Sequence, residues 1–318
     1  MQHALVVAIA VLCLQALVVA AWLAFRWAQR AAPPAPRLRS LPPRRDAPPL
    51  ALPAASGSTD PADAAPHTTP GTAVVLVHGF LGFGSIGFGR ARIHYFRRVA
   101  RALERRGVEV HVAVLPPLGS TPARAQALLD QLARVKSTHV VIVAHSLGGL
   151  DARWALARGG CDRVRALVTI GTPHRGSPIA DAFARGPGGR LRSALARMGL
   201  GSEAVDWLTT ERLARFNEEI ADVPGVRYAC VVGATADARK VHPLLRVTHT
   251  FLRAHGPSDG LVTAASQAWG EVIAEAELDH WAQVGWAGGH DAAALVERVL
   301  DHLGALPPRA PLRQLLAG

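Results

Sequence analysis

From residue 73 onward the chain alternates two hydrophobic patterns. Short, nearly uninterrupted apolar runs lie at 73–77 (AVVLV), 108–115 (VEVHVAVL), 139–144 (HVVIVA), 164–170 (VRALVTI), 226–233 (VRYACVVG) and 271–276. They are rich in β-branched residues and too short for buried helices, so each predicts a strand covered on both faces. Between them, apolar residues recur every three or four positions near 94–106, 121–135, 148–159 and 291–303, which predicts amphipathic helices. In the second of these, Ser120 or Thr121 would serve as N-cap and Ala127, Leu128, Leu132 and Val135 would face inward. Strands alternating with crossover helices imply an α/β domain with a mostly parallel central sheet and helices on both faces. No internal repeat is visible.

Three segments break the alternation. Residues 4–25 (ALVVAIAVLCLQALVVAAWLAF) carry no charge. As a helix they would span about 33 Å, enough for a hydrocarbon core of about 30 Å. Trp22 and Trp27 would then lie near one interface. The run is longer than a signal-peptide core, has no Lys or Arg before it and lacks a small-x-small cleavage site after it. Residues 1–30 are therefore expected to be a retained single-pass transmembrane helix, with secretion following if this end were cleaved. Six arginines between Arg26 and Arg45 favour a cytoplasmic body by the positive-inside rule, but one short helix is a weak case and the side stays open. Residues 31–72 are rich in Pro, Ala, Ser and Thr, cannot bury a core, and are expected to be a disordered tether. The folded body would then occupy 73–305, with a tail at 306–318. Within it, 178–225 is too long for a simple connection and holds amphipathic helices of its own.

Composition changes this picture little. The 318 residues carry a formal net charge of +11, and Lys occurs only at 136 and 240. Basic stretches interleaved with aromatics are absent, so no nucleic-acid partner is expected. Of the three cysteines, Cys13 lies in the apolar N-terminal run, and Cys161 and Cys230 do not amount to a disulfide framework.

The chemistry sits where the run at 139–144 ends. VVIVAHSLGG (140–149) passes from a buried strand through Ala144, His145, Ser146, Leu147 and Gly148 into a helix. That is the setting of a nucleophile elbow, a sharp turn that raises one side chain above the sheet. Residues two before and two after the nucleophile must be small; Ala144 and Gly148 qualify. Ser146 is the expected nucleophile, and the helix N-terminus behind it favours developing negative charge. His145 must point away and is expected to be structural. A serine needs a base, and the base an orienting acid, in the chain order Ser, acid, His. For the acid, Asp259 in the turn GPSDGLV competes with Asp237 in GATADARK; the Gly/Pro/Ser turn favours Asp259. For the base, His280 in ELDHWAQVGW competes with His290 in GGHDAAAL; His280 follows the last strand more closely. The oxyanion would be met by the N–H groups of Leu147 and Phe80, the latter after Gly79, with His78 holding the loop.

VVLVHGFLGFG, VVIVAHSLGGLDARW, VTIGTPHRGSPIAD, LARFNEEIADVPGVRYACVVG, SDGLV and LDHWAQVGW together resemble the bacterial triacylglycerol lipases of the α/β-hydrolase superfamily, over roughly 73–303. The resemblance implies a carboxylic ester hydrolase acting on a lipid or other acyl ester, with Ser146, His280 and Asp259 as triad and Phe80 and Leu147 as oxyanion donors. It implies that 178–225 is a lid over an acyl cleft, in keeping with Leu191, Leu195, Met198, Leu200, Val205, Trp207 and Leu208. Many members bind calcium through an Asp two residues after the histidine; here Ala282 stands there, so no metal or other cofactor is expected. The same triad would serve a polyester depolymerase, thioesterase or acyltransferase. A hydrolase fold without catalysis, serving as a membrane-bound binding protein, is the alternative of another class.

Overall fold

The six apolar runs, with Leu38–Ser40 added at one edge, form a seven-stranded sheet, and the periodic stretches form helices against it. In a computed structural model, residues 38–40, 71–80, 85–86, 93–96, 98–117, 119–160, 162–185, 206–287 and 289–307 are described. In chain order the elements are β1 (Leu38–Ser40), β2 (Thr72–Val77), β3 (Ser85–Ile86), β4 (Ile93–His94), α1 (Val99–Arg105), β5 (Glu109–Val112), α2 (Thr121–Leu132), β6 (His139–His145), α3 (Leu147–Ala157), β7 (Val164–Ile170) and α4 (Pro178–Arg185). There follow α5 (Thr210–Glu219), β8 (Arg227–Gly233), α6 (Arg246–Leu252), α7 (Ala264–Gln267), β9 (Glu271–Ala276) and α8 (Ala292–His302). The sheet order is β1-β9-β8-β7-β6-β2-β5; β1 runs antiparallel to β9, and all other pairs are parallel. β3 and β4 form a separate antiparallel pair.

Both faces of the sheet are covered, which is why the strands read as continuous apolar runs. Val74 and Leu76 of β2 pack with Phe96, Val99 and Leu103 on one face. Ala73, Val75 and Val77 pack with Leu128, Leu132, Ala152 and Ala155 on the other. Each fully buried Val or Leu contributes about 1.5–3 kcal/mol relative to an exposed one, so neither face can be uncovered cheaply.

Several elements differ from expectation in detail. The helix expected from 94 starts at Val99, because Ile93–His94 are drawn into β4 and Arg98 takes a left-handed conformation (φ 62°) before the first turn. Ser120 is the N-cap of α2 but makes no side-chain capping bond, and Pro122 opens the helix instead. Three residues of the expected tether, Leu38–Ser40, form the edge strand beside β9. The transmembrane reading of 1–30, most of 31–72, the C-terminal residues from 308, and 186–205 with Leu191, Leu195, Met198, Leu200 and Val205 lie outside the described residues, as do Cys13 and Cys161. Among the described residues, no helix is long and apolar enough to cross a membrane, and Cys230 is a free buried thiol.

The sheet order also decides where chemistry can occur. From β2 the chain first adds β5 on one side and then returns to place β6 on the other. The loops leaving β2 and β6 therefore part in opposite directions, opening a crevice at the carboxyl ends of those strands.

Candidate active site

Ser146 occupies that crevice. It follows β6 directly, with φ 56° and ψ −131°, and α3 begins at the next residue. A non-glycine residue at such a φ is strained by about 1–3 kcal/mol. The turn is held from below: Ser146 N–H donates to the Ile170 carbonyl (2.9 Å), and Thr172 Oγ1 donates to the Ser146 carbonyl (2.8 Å). Ser146 is half-buried while every neighbour from Val140 to Leu150 is buried, so the turn lifts this one side chain clear. A Cβ on Gly148 would come 2.7 Å from the His78 carbonyl and 2.8 Å from that of Val77, which is why that position must be small.

The loop after β2 crosses close above the serine. A Cβ on Gly79 would lie 2.7 Å from Ser146 Cβ, so only glycine lets Phe80 follow at this distance. The N–H groups of Phe80 and Leu147 donate to no described residue. His78 fixes the loop: its Nδ1 pairs with the Gly79 carbonyl (3.0 Å), and its Nε2 accepts from Leu115 N–H (3.1 Å).

His280 and Asp259 are brought together from different parts of the chain. His280 Nδ1 lies 2.7 Å from Asp259 Oδ2, with the carboxylate fully buried. Oδ1 of Asp259 accepts from the N–H groups of Leu261 (2.9 Å) and Val262 (2.7 Å), and Oδ2 also accepts from Gln283 Nε2 (3.0 Å). The main chain ties the two again, His280 N–H donating to the Asp259 carbonyl at 2.8 Å. With Nδ1 engaged as donor, Nε2 of His280 is the nitrogen left to accept a proton. Neither that nitrogen nor Ser146 Oγ has a hydrogen-bond partner among the described residues. The alternatives are placed elsewhere. Asp237 caps a 3-10 turn and pairs with Arg239 (3.1 Å). His290 precedes α8, beside its cap Asp291, and among the described residues shares no hydrogen bond or ion pair with Asp259.

Similarity to known proteins agrees with this geometry. Residues 72–193 match the alpha/beta hydrolase fold family. A triacylglycerol lipase of Vibrio cholerae is 30% identical over 239 residues, covering 63% of this chain and 75% of the relative. The chain belongs to the lipase-like α/β-hydrolases. A triacylglycerol lipase of Pseudomonas fragi is 31% identical over 141 residues, which cover 43% of this chain and 44% of that one. Among solved structures, a metagenomic carboxyl esterase superposes with a TM-score of 0.63 at 24% identity, over 74% of this chain and 76% of that one. The mature lipase of Bacillus licheniformis gives a TM-score of 0.59 at 22% identity, over 77% and 95%.

Within this lipase-like hydrolase, four residues brace the site: His145, expected to be structural, and three that the sequence left unassigned. Tyr95 Oη lies 2.7 Å from His145 Nδ1, and His145 Nε2 lies 3.1 Å from the His280 carbonyl. A neutral His145 therefore donates from Nε2 and accepts at Nδ1, linking the histidine loop to Tyr95 just after β4. Arg124 of α2, fully buried, donates to Asp151 Oδ2 on α3 (2.8 Å) and to the carbonyls of His78 (2.8 Å), Gly79 (3.2 Å) and Pro116 (2.8 Å). One guanidinium thus fastens the loop above the serine to the helix behind it. Gln283 is the fourth, three positions after His280. Among the described residues no three His, Cys, Asp or Glu side chains converge to hold a metal ion.

Burial governs the charge of these histidines. It lowers His78 from 6.5 to about 4, against the opposing effect of its bond to the Gly79 carbonyl. It also lowers His145, with the nearby His280 adding to the effect, and His174, with Arg153 adding. Between pH 6.5 and 4 the unfolded chain takes up a proton at His78 that the folded chain refuses. Stability is then independent of this group above pH 6.5 and falls as pH drops toward 4, by about 3 kcal/mol for His78 alone; His145 and His174 act in the same direction. Urea unfolding from pH 7 to 4 should show this decline, shallower in His78→Gln. A flat profile would contradict neutral buried histidines.

Proposed function

We propose that this lipase-like hydrolase cleaves carboxylic esters of acyl chains through a covalent Ser146 intermediate. The observation that carries the reading is the buried Asp259–His280 pair set beside an elbow whose serine alone stands clear of its neighbours. Ser146 Oγ attacks the acyl carbonyl while His280 Nε2 takes its proton. The N–H groups of Phe80 and Leu147 receive the negative charge on the carbonyl oxygen, aided by the N-terminus of α3. Collapse of the tetrahedral species expels the alcohol, which leaves with the proton held by His280. Water, activated by the same nitrogen, then attacks the acyl-enzyme and releases the acid.

The surroundings of the serine suit an acyl chain. Phe80, Trp207 and Leu208 pack against the buried cluster of Leu147, Leu150, Leu213 and Phe216, forming an apolar wall beside the nucleophile. Trp207 and Leu208 belong to the 178–225 insertion, which would act as the lid. Its return leg is fastened to α3 by Arg153, which donates to Asn217 Oδ1 (2.8 Å) and the Ile220 carbonyl (3.2 Å) and stacks 3.7 Å over Trp269. The uncharged run at 4–25 would hold the enzyme at a bilayer, close to such substrates.

A fluorophosphonate probe should label the wild-type chain at Ser146 and leave Ser146→Ala unlabelled. On nitrophenyl esters, turnover should persist as the acyl chain lengthens. Equal labelling of both chains would end this reading; turnover confined to the shortest esters would remove its lipid side.

A further inference from the structure

Three of the four large exposed hydrophobic residues among those described lie on one short stretch: Leu244 (53% exposed), Val247 (80%) and Phe251 (45%). They are spaced three and four apart across a 3-10 turn and α6, so they share one helical face. The opposite face is made of Leu245, His249 and Leu252, all buried. α6 is thus apolar inward, where it packs, and apolar outward, where no described residue covers it. Isolated exposed apolar residues need no explanation, but a contiguous face of them does.

The charge around this face identifies what it fits. From Val241 to Ser258 there is no Asp or Glu. Arg246 and Arg253 are exposed within it and form no ion pair among the described residues; of the carboxylates close by, Asp259 and Asp279 are buried, and Asp237 and Glu277 are paired with Arg239 and Lys240. An apolar stripe flanked by unpaired arginines matches the interface of an anionic bilayer, with side chains entering the acyl region and guanidinium groups at the phosphates. Two other occupants suit it less well. The chain's own 186–205 stretch carries Arg190, Arg192 and Arg197 against a single Glu203, so it would set like charges together. A second copy docking by the same face would also place arginine against arginine.

Position adds a reason. Leu245 packs beneath Gly260, whose Cβ, were there one, would meet Leu245 Cβ at 3.2 Å, and Gly260 follows Asp259. α6 also packs against α4, which opens the 178–225 insertion. We propose that the outer face of α6, through Leu244, Val247 and Phe251 with Arg246 and Arg253, docks the enzyme on anionic phospholipid. This deepens the reading of an enzyme working on acyl esters and rests on it for its purpose, but the binding can be measured without turnover.

The test uses the full chain carrying Ser146→Ala, with Cys13 and Cys161 replaced by Ser and the buried Cys230 kept. A polarity-sensitive fluorophore is placed at Val247→Cys, in a second protein at Phe251→Cys, and in a control at Asp130→Cys on α2. With phosphatidylglycerol vesicles, both α6 labels should shift to the blue and lose access to an aqueous quencher, while the control should not. The shift should vanish with Arg246→Glu plus Arg253→Glu. It should also weaken as salt rises from about 0.1 to about 1 M, since the screening length falls from about 10 to about 3 Å. No shift with these vesicles, or an equal shift with phosphatidylcholine, would overturn the proposal. So would a label already blue without lipid, which would mean that the chain covers its own face, or a shift that tracks protein concentration, which would mean a second copy. Absence of ester turnover in the same labelled chain with Ser146 restored, where the vesicle shift persists, would count against the catalytic reading alone.

Discussion

Asp259→Asn is expected to lower kcat for ester hydrolysis about 10⁴-fold while leaving the fold intact. The reason lies in the donors around the carboxylate. Leu261 N–H and Val262 N–H point at Oδ1, and His280 Nδ1 and Gln283 Nε2 point at Oδ2. An amide supplies one acceptor oxygen and one donor nitrogen. If its oxygen stays with the two backbone donors, its NH₂ faces His280 Nδ1, which must then lose its hydrogen and become the acceptor. The proton moves to Nε2, the nitrogen that accepts from Ser146 Oγ in the proposed mechanism. The ring remains in place, but in the wrong tautomer. A steady-state comparison, with circular dichroism to confirm folding, checks this. Loss of less than tenfold would mean that another acid orients the base, and Asp237→Asn would then be the next variant to measure.

Arg124→Met should destabilise the protein by about 3–5 kcal/mol, because it leaves a buried carboxyl without its counter-ion. Burial already pushes Asp151 up to about 7 against the pull of the guanidinium; without Arg124 it would go higher and the group would take a proton. The carbonyls of His78, Gly79 and Pro116 lose their donor at the same time. For a domain of this size the loss corresponds to a fall in Tm of roughly 6–20 °C. Arg124→Met with Asp151→Leu should recover part of the Tm, since the uncompensated carboxyl is gone. It should not recover kcat, since the loop carrying Phe80 would still be unfastened. An unchanged Tm in the single variant would show that the pair is not the clamp its geometry suggests.

The parts that the sequence revealed are those set by local rules. A run such as HVVIVA reads as a doubly covered strand, and a serine at its end with small residues two positions to either side reads as a tight turn. The choice of Asp259 over Asp237 rested on turn composition, and the structure pairs Asp259, not Asp237, with His280. What stayed hidden depends on distant contacts. Arg124 looks like an ordinary polar residue in an amphipathic helix, and nothing nearby announces that it reaches two carbonyls 45 and 46 positions away. Tyr95 is 50 residues from the histidine it meets. Gln283 was close enough to notice, but a glutamine three places after a histidine has no signature until the carboxylate beside it is known. α6 escaped because its two apolar faces cancel the one-sided periodicity by which an amphipathic helix is recognised.

The left-handed turn at Ser146 has a consequence for the life of the chain before it is finished. Its backbone angle is imposed by β7 below, by Thr172 and by the packing of α3, and none of these is available to an isolated β6–α3 segment. On the ribosome, or in a partly unfolded molecule, the serine relaxes to an ordinary conformation and is no more reactive than any other hydroxyl. On the proposed mechanism, hydrolytic power is therefore switched on only by completion of the sheet, and a misassembled copy is chemically silent.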